Sequence, residues 1–274
     1  MKKLRTILAL TIVVTMAVSG CSPRNVVRPT IISGTIKPVA LIAQAIAGTA
    51  LQVQVLAGKD GAPLPNSQEL VSRSAVVFRT GTSVDTWSSE VEHGSVRFVS
   101  LSAALDKGTP NGSWLSFRNS TDMARLIRDT LDVLYPDLKE QFDSRYAVFM
   151  NQCSQADGRL KRLVWSAGTR AFLAADTTWS SAAGDFGLQV VVQPGLMGFD
   201  LLGAEAASRV VGWGSSGKTQ VVVVNVPSGG RTGVSRQSNG IVVCSLDALG
   251  ATAEGDFVSW LEHQLMLLGS AIGK

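Results

Sequence analysis

Residues 212–219 carry a pattern that binds phosphate in other proteins. The stretch Gly-Trp-Gly-Ser-Ser-Gly-Lys-Thr matches the loop G-x-x-x-x-G-K-[ST] at every position. That chemistry needs a strand before the loop and a helix after it, so that the helix N-terminus faces the phosphate. The predicted order is the reverse, with a helical stretch at residues 204–211 and a strand at residues 220–225. We therefore interpret the motif as a Gly/Ser turn between a helix and a strand.

Residue types that carry out catalysis are scarce. The chain has two histidines, His93 and His263. It contains no G-x-S-x-G nucleophile motif, no metal-hydrolase histidine pair and no nucleophile with an evident histidine base. The sequence therefore predicts that the protein is not an enzyme.

One lysine occupies a loop of the kind that holds ligands. The stretch Leu-Ala-Gly-Lys-Asp-Gly-Ala-Pro-Leu-Pro-Asn, residues 56–66, follows a strand-like run at residues 51–55. Its Gly, Asp and Pro residues are typical of a loop with a fixed shape. Loops at the carboxyl ends of strands bind ligands in α/β proteins. Lys59 lies near the middle of this loop, and its ammonium group has no lone pair to give to a metal.

The N-terminus has the features of an export signal. A basic start, Met-Lys-Lys-Leu-Arg, precedes an apolar run at residues 6–18. The alternative is a short membrane anchor, but the run is too short to span a membrane as a mature helix. Val-Ser-Gly-Cys at residues 18–21 resembles the bacterial lipobox. We predict a signal peptide over residues 1–20, a lipid on Cys21, a tether over residues 21–29 and a location on the extracytoplasmic face of the cell membrane.

The charge of the chain bears on its class of partner, and its cysteine content bears on disulfide and metal sites. The signal accounts for three of the 25 basic residues, so the rest of the chain exceeds its 21 acidic residues by one. This balance gives no support to a nucleic-acid partner. Cys153 and Cys244 remain after Cys21. In an exported protein they either form a disulfide or stay as two buried thiols, and their spacing fits no metal motif.

The order of elements predicts an α/β fold with two lobes. Apolar strand-like runs alternate with helical stretches, which favours mostly parallel sheets flanked by helices. One long helix over residues 137–165, after a break at Tyr135-Pro136, separates the two sets. We predict an N-terminal lobe over residues 30–136 and a C-terminal lobe over residues 166–274.

Several short motifs, in order along the chain, resemble the zinc and manganese binding lipoproteins of ABC transporters. The first, Ser33–Pro38 with the helix to Gly48, resembles the family's S-I-K-P-L opening and its apolar helix ending in A-G. The others resemble P-T-P-S-D, G-x-G-L-E-x-W, a strand ending in L-S, the tail of D-P-H-x-W-L-D-P, and L-D-P-L-G. They lie at residues 63–67, 81–87, 96–102, 113–115 and 246–250. The resemblance covers roughly residues 30–270.

The resemblance implies a divalent metal held between the lobes by three histidines and one carboxylate. The first histidine position corresponds to Lys59, and the second to Gly112, two residues before Trp114. The third corresponds to Asp176, after the first strand of the second lobe. The carboxylate position corresponds to Asp247, which matches. No family histidine is present, and His93 and His263 lie at none of these positions.

These substitutions disfavour tight metal binding. Lysine repels a divalent cation and glycine offers no ligand atom. We expect zinc or manganese to be bound weakly, through Asp176 and Asp247, or not at all. As a hypothesis, Lys59 forms an ion pair with Asp247 or Asp176 that holds the lobes together in place of the metal. Replacing Lys59 with alanine would then destabilise the protein strongly, since a buried carboxylate would lose its partner.

The resemblance therefore predicts an extracytoplasmic solute-binding lipoprotein with a degenerate metal site. Its expected partners are an ABC-transporter permease and the membrane, and we expect a monomer. Two alternatives use the same scaffold. One is a surface-anchored interaction or adhesin-like protein, and the other binds a small anionic solute with Lys59 as the counter-charge.

Overall fold

The computed structural model describes residues 29–92, 94–106, 111–167, 169–192, 220–226, 230–236 and 240–273. Several predictions lie outside these residues. They are the signal peptide, the lipid on Cys21, most of the tether, the role of His93, the helix at residues 204–211 and the phosphate-binding pattern at residues 212–219. Strand β7, which follows that pattern, begins at Gln220 as predicted.

The first sheet is parallel and has four strands in the order β2-β1-β3-β4. Its strands are β1 Ile31–Gly34, β2 Gln52–Val55, β3 Val76–Arg79 and β4 Arg97–Ser100. Helix α1, Lys37–Ala47, has a proline in its first turn and ends at Gly48, whose positive φ of 59° suits glycine. Helix α2, Ser67–Ser72, follows the Lys59 loop. The carboxyl ends of β1 and β2 therefore face the same edge as the N-terminus of α1.

Two long antiparallel helices follow the first sheet. They are α3, Phe117–Leu134, and α4, Lys139–Trp165, separated by the short 3₁₀ turn Pro136–Leu138. The N-cap of α3 is Ser116, whose side chain accepts a hydrogen bond from the Asn119 N–H. Phe117, the first residue of this helix, is buried in the core.

The second sheet has five strands in the order β6-β5-β7-β9-β8. All pairs are parallel except β8 with β9. The strands are β5 Ala171–Ala174, β6 Gln189–Val192, β7 Gln220–Asn225, β8 Gly233–Arg236 and β9 Ile241–Leu246. Helix α5, Ser180–Asp185, follows β5, and helix α6, Phe257–Ile272, closes the chain. The sequence analysis missed β8 and α5, since both are short and neither has an apolar run.

One hydrophobic core extends across both lobes. Buried residues of the two sheets and of α4 and α6 belong to the same cluster, including Ile32, Phe149, Phe172 and Val223. The rings of Phe149 on α4 and Phe257 on α6 lie 5.9 Å apart. The predicted α/β class, with two mostly parallel sheets and one long helix, is confirmed. Within the described residues, no helix has the length and hydropathy to cross a membrane.

Candidate functional site

A cavity with both polar and apolar walls lies where the carboxyl ends of the strands of the two sheets meet. We call it the Asp176 cavity; it has a volume of about 250 Å³. The first lobe contributes Ser83 and Asn111, and the second contributes Asp176 after β5 and Asn225 at the end of β7. Both sheets reverse their strand order at this edge, between β1 and β3 and between β5 and β7. Such switch points are where open α/β sheets bind ligands.

Asp176 lies at this cavity, and it also shapes the chain around it. Its Oδ1 accepts a hydrogen bond of 2.8 Å from the Thr178 N–H, which closes a tight turn after β5. The residue after Thr178 is the buried Trp179, whose Nε1 donates a hydrogen bond of 2.7 Å to Asn225 Oδ1. This bond uses one of the two lone pairs of Asn225 Oδ1.

Gly112 is a point of close contact between the two lobes. Its φ is +79°, in the region that favours glycine, and a Cβ atom there would lie 1.9 Å from the Thr178 carbonyl oxygen. The backbone of the second lobe thus occupies the space that a side chain at position 112 would need. With the lobes in this position, no histidine fits there.

Asp247 is buried and its carboxylate is saturated by its own turn. Its side chain is 1 % exposed. Oδ1 accepts from the N–H groups of Leu249 and Ala251 at 3.2 and 3.0 Å. Oδ2 accepts from the N–H and hydroxyl of Thr252 at 2.7 and 2.8 Å. A carboxylate has about four lone-pair positions, and these four bonds use all of them. Gln264 on α6 accepts from the Asp247 N–H and supports the turn from behind.

Lys59 lies in a different cavity, of about 400 Å³, which we call the two-lysine cavity because Lys37 also lines it. The Lys59 loop is tightly folded: Gly58 donates its N–H to Ala62 O at 2.8 Å, and Trp87 Nε1 donates to Gly61 O at 3.1 Å. Residues 249–254 of the second lobe form the opposite wall. Leu249 borders both cavities.

The structure contradicts the ion-pair hypothesis. The Lys59 side chain is exposed, and among the described residues it forms no ion pair with Asp176 or Asp247. The reason is that the Asp247 turn supplies all of the hydrogen bonds that the carboxylate needs. The lobes are joined instead by neutral contacts, such as the bond of 2.7 Å from Trp114 Nε1 to Ala248 O.

The four residues placed by the resemblance are therefore distributed over three settings. Asp176 lines the cavity named after it, Lys59 lines the two-lysine cavity, and Gly112 and Asp247 are used structurally. Across the described part of the chain, no group of three or more His, Cys, Asp or Glu side chains is arranged to hold a metal ion. His263 lies on α6, away from both cavities.

Cys153 and Cys244 are two separate buried thiols, which decides between the two alternatives left by the sequence. Cys153 lies on α4 and Cys244 on β9. Burial raises the pKa of each thiol to about 12. Both thiols therefore stay protonated at neutral pH and act as small apolar core residues.

The sequence analysis missed a carboxyl group at the contact between the lobes. Asp185, at the end of α5, has one buried oxygen that forms no hydrogen bond with any described residue. Burial raises the pKa of Asp185, and a hydrogen bond with Ser116 at the start of α3 opposes this effect. Asp157 raises the pKa further, while Lys161 and Arg118 lower it. No local sequence motif marks this residue, since its neighbours come from two other parts of the chain, residues 116–118 and residues 157–161.

We expect the Asp185→Asn variant to be more stable than the native protein at neutral pH, by roughly 1 kcal/mol, because a neutral amide costs less to bury than a carboxylate. The native pKa is raised above the ordinary 3.8. The folded state therefore binds the proton more tightly, and its stability falls as pH rises from about 3.8 through the raised value. Urea unfolding at several pH values should show this fall in the native protein and a smaller one in the variant. Equal pH slopes would contradict the assignment.

The class of protein follows from this architecture: two α/β lobes, a long connecting helix and a ligand-sized cleft at the facing strand ends. It is that of a two-lobed solute-binding protein. The family model described as "Zinc-uptake complex component A periplasmic" matches residues 32–271. The chain belongs to this family, and the resemblance found in its sequence motifs is confirmed. The family is one of substrate-binding proteins and not of enzymes, and its members work with ABC-transporter permeases.

Solved structures of this type share the fold at low sequence identity. The Zn(II)-bound ZnuA-like domain of Streptococcus pneumoniae AdcA is 17 % identical, with a TM-score of 0.72 over 89 % of this chain and 99 % of that chain. The metal-dependent lipoprotein YcdH from Bacillus subtilis is 16 % identical, with a TM-score of 0.72 over 89 % and 99 %. The laminin-binding protein Lbp of Streptococcus pyogenes is 16 % identical, with a TM-score of 0.69 over 88 % and 98 %. No curated protein matches the chain by sequence.

The first of these structures contains zinc, so zinc is a ligand that this type of protein can take. That agrees with the prediction of zinc or manganese as a potential ligand. The affinity of this chain for zinc depends on the geometry of its own donor atoms.

Proposed function

We propose that this protein is an extracytoplasmic solute-binding component, of the kind that serves an ABC-transporter permease, whose inter-lobe cleft no longer binds zinc or manganese tightly. The protein acts as a monomer, anchored to the membrane through lipid on Cys21. The family membership supports the solute-binding part of the proposal. The lipobox-like residues 18–21 support the anchor.

The state of Asp247 carries the proposal. It is the one residue that matches the family's ligand set, and its four lone-pair positions are taken by Leu249, Ala251 and Thr252. A metal ion would have to displace at least one of these bonds inside a buried turn. That exchange weakens binding, because each displaced donor would be left without a partner.

The other three positions offer few ligand atoms to a metal ion. Lys59 offers an ammonium group, and Gly112 offers no ligand atom and no room for one. Asp176 keeps one carboxylate oxygen free of its turn. The other polar side chains around it are amides and hydroxyls, so Asp176 is the only carboxylate among the described residues that line the cavity. A tight zinc site needs about four donors of the imidazole, thiolate or carboxylate type.

Thermal unfolding tests this part of the proposal. Residues 22–274, treated with chelator, should unfold at the same temperature with 100 µM zinc or manganese as with chelator alone. A site with micromolar affinity would raise the free energy of unfolding by about 2.7 kcal/mol at 100 times its dissociation constant. A rise of that size, lost in the Asp176→Asn variant, would overturn the proposal.

Binding of a protein partner at the cell surface stays an alternative prediction. Laminin binding is stated of the streptococcal protein named above and of a laminin-binding adhesin from Streptococcus agalactiae. The described residues supply no observation that favours this role over solute binding.

A further inference from the structure

The two-lysine cavity has two positively charged side chains that no ion pair within the described residues neutralises. Lys37 is half-buried and Lys59 is exposed, and both line the cavity. Within the described residues neither lysine forms an ion pair, whereas Lys139 and Lys161 each pair with aspartates. Glu254, the one acidic residue among the described lining residues, pairs with neither. The cavity thus has two cations that face a single exposed carboxylate.

The backbone adds to this positive character. Lys37 is the first residue of α1, a helix of 11 residues with no acidic residue in its first turn. A helix N-terminus carries a partial positive charge and favours negative groups, so a lysine there is electrostatically unfavourable. An anion in the cavity would be attracted by both lysines and by the end of the helix.

The volume of the cavity and the residues of its walls indicate how large its ligand is and which chemical groups the ligand contains. It lies between the lobes, against the carboxyl ends of β2 and β9, and about 400 Å³ is enough for a small molecule. Small apolar side chains line much of it: Val55, Ala57, Leu249, Ala251 and Ala253. These walls suit an aliphatic group, while the lysines suit an anionic head.

We propose that the two-lysine cavity binds a small organic anion, with its carboxylate or phosphate group between Lys37 and Lys59 and its apolar body against Leu249 and its neighbours. This proposal rests on the proposed solute-binding role and names the class of solute. The cavity borders the Asp176 cavity at Leu249 but does not include Asp176, so anion binding does not depend on that carboxylate. Because residues of both lobes form the walls, a bound anion also holds the lobes together.

The experiment is titration calorimetry on chelator-treated residues 22–274 at 150 mM NaCl, where long-range charge effects are screened. The probes are hexanoate and butyl phosphate, with acetate and inorganic phosphate as matched anions that lack the apolar body. We expect at least one organic anion to bind saturably, at least about tenfold tighter than its matched small anion, because the small anion leaves the apolar walls uncovered. The better of the two organic probes identifies carboxylate or phosphate as the head group.

Variants of the two lysines test whether these side chains bind the anion. Lys37→Gln and Lys59→Gln should each weaken binding by about tenfold, the size expected for losing one hydrogen bond to a charged group. The glutamine at position 37 retains the Cβ and Cγ atoms that pack against Gly250. Lys161→Gln, which removes the same charge on α4, is the control and should bind as the native protein does.

Three results would overturn the proposal: no binding of either organic probe, equal binding by the Lys37→Gln/Lys59→Gln double variant, or an equal loss in the Lys161→Gln control. A zinc titration on the same preparation is read independently. Tight zinc binding would contradict the proposed loss of the metal site and leave anion binding standing. Absent anion binding would contradict this inference alone.

Discussion

Replacing Asp247 with asparagine is expected to lower the free energy of unfolding of the metal-free protein by roughly 2–4 kcal/mol. The carboxylate accepts four hydrogen bonds from residues 249–252. An amide has a single acceptor oxygen, so two of these donors would face an NH₂ group. Chemical denaturation in the presence of chelator gives the measurement, since it removes any contribution from metal.

Asp256→Asn is the matched control for this change. Asp256 caps helix α6 and accepts from the N–H and hydroxyl of Ser259, but it is exposed. Asparagine caps helices about as well as aspartate, so this variant should stay within about 0.5 kcal/mol of the native protein. If Asp247 were instead a free ligand waiting for metal, its replacement would leave the metal-free protein as stable as the control.

Replacing Gly112 with alanine is expected to destabilise the protein by about 3 kcal/mol or more. Part of the loss comes from the positive φ, which costs about 1–2 kcal/mol for a residue with a Cβ atom. The larger part comes from the clash with the Thr178 carbonyl, which would lie 1.9 Å from the new atom. The added Cβ is fixed rigidly to the chain and its contact is with backbone, so the clash is relieved by moving the lobes apart.

Gly240→Ala separates these two effects. Gly240 has a φ of +83°, and no atom of the described residues lies within 4 Å of the position that its Cβ would take. This variant should therefore show the φ penalty alone. Denaturant unfolding of both variants, with small-angle X-ray scattering to follow the lobes, gives the comparison. Equal losses at positions 112 and 240 would mean that the second lobe does not occupy the space at Gly112.

Much of the fold could be predicted from the sequence because its signals are local. The apolar runs at β1, β3, β7 and β9 predict buried parallel strands, and the proline in the first turn of α1 and the glycine after its last residue mark its two ends. The elements that were missed have weak local signals. Strand β8 contains Gly, Ser and Arg, and it is a strand because β9 supplies an antiparallel partner.

The site could be predicted only in part, since its key interactions join distant segments. The resemblance selected Asp247, but the sequence does not reveal that its carboxylate bonds to the residues just after it. The ion pair with Lys59 was wrong for this reason. Gly112 seemed to be a lost ligand, whereas it is the residue that permits contact with Thr178, 66 positions further along the chain. Asp185 acquires its raised pKa from burial, which the sequence alone does not show.

We propose that the cleft keeps the family's architecture while its own hydrogen bonds and lobe contacts occupy the metal positions. The most direct measurement is the zinc and manganese content of untagged residues 22–274 after dialysis against each metal, with the affinity from titration calorimetry. We predict clearly substoichiometric metal and no saturable binding at micromolar concentrations. One zinc or manganese ion per chain, held tighter than 1 µM or about −8.2 kcal/mol, would contradict the claim.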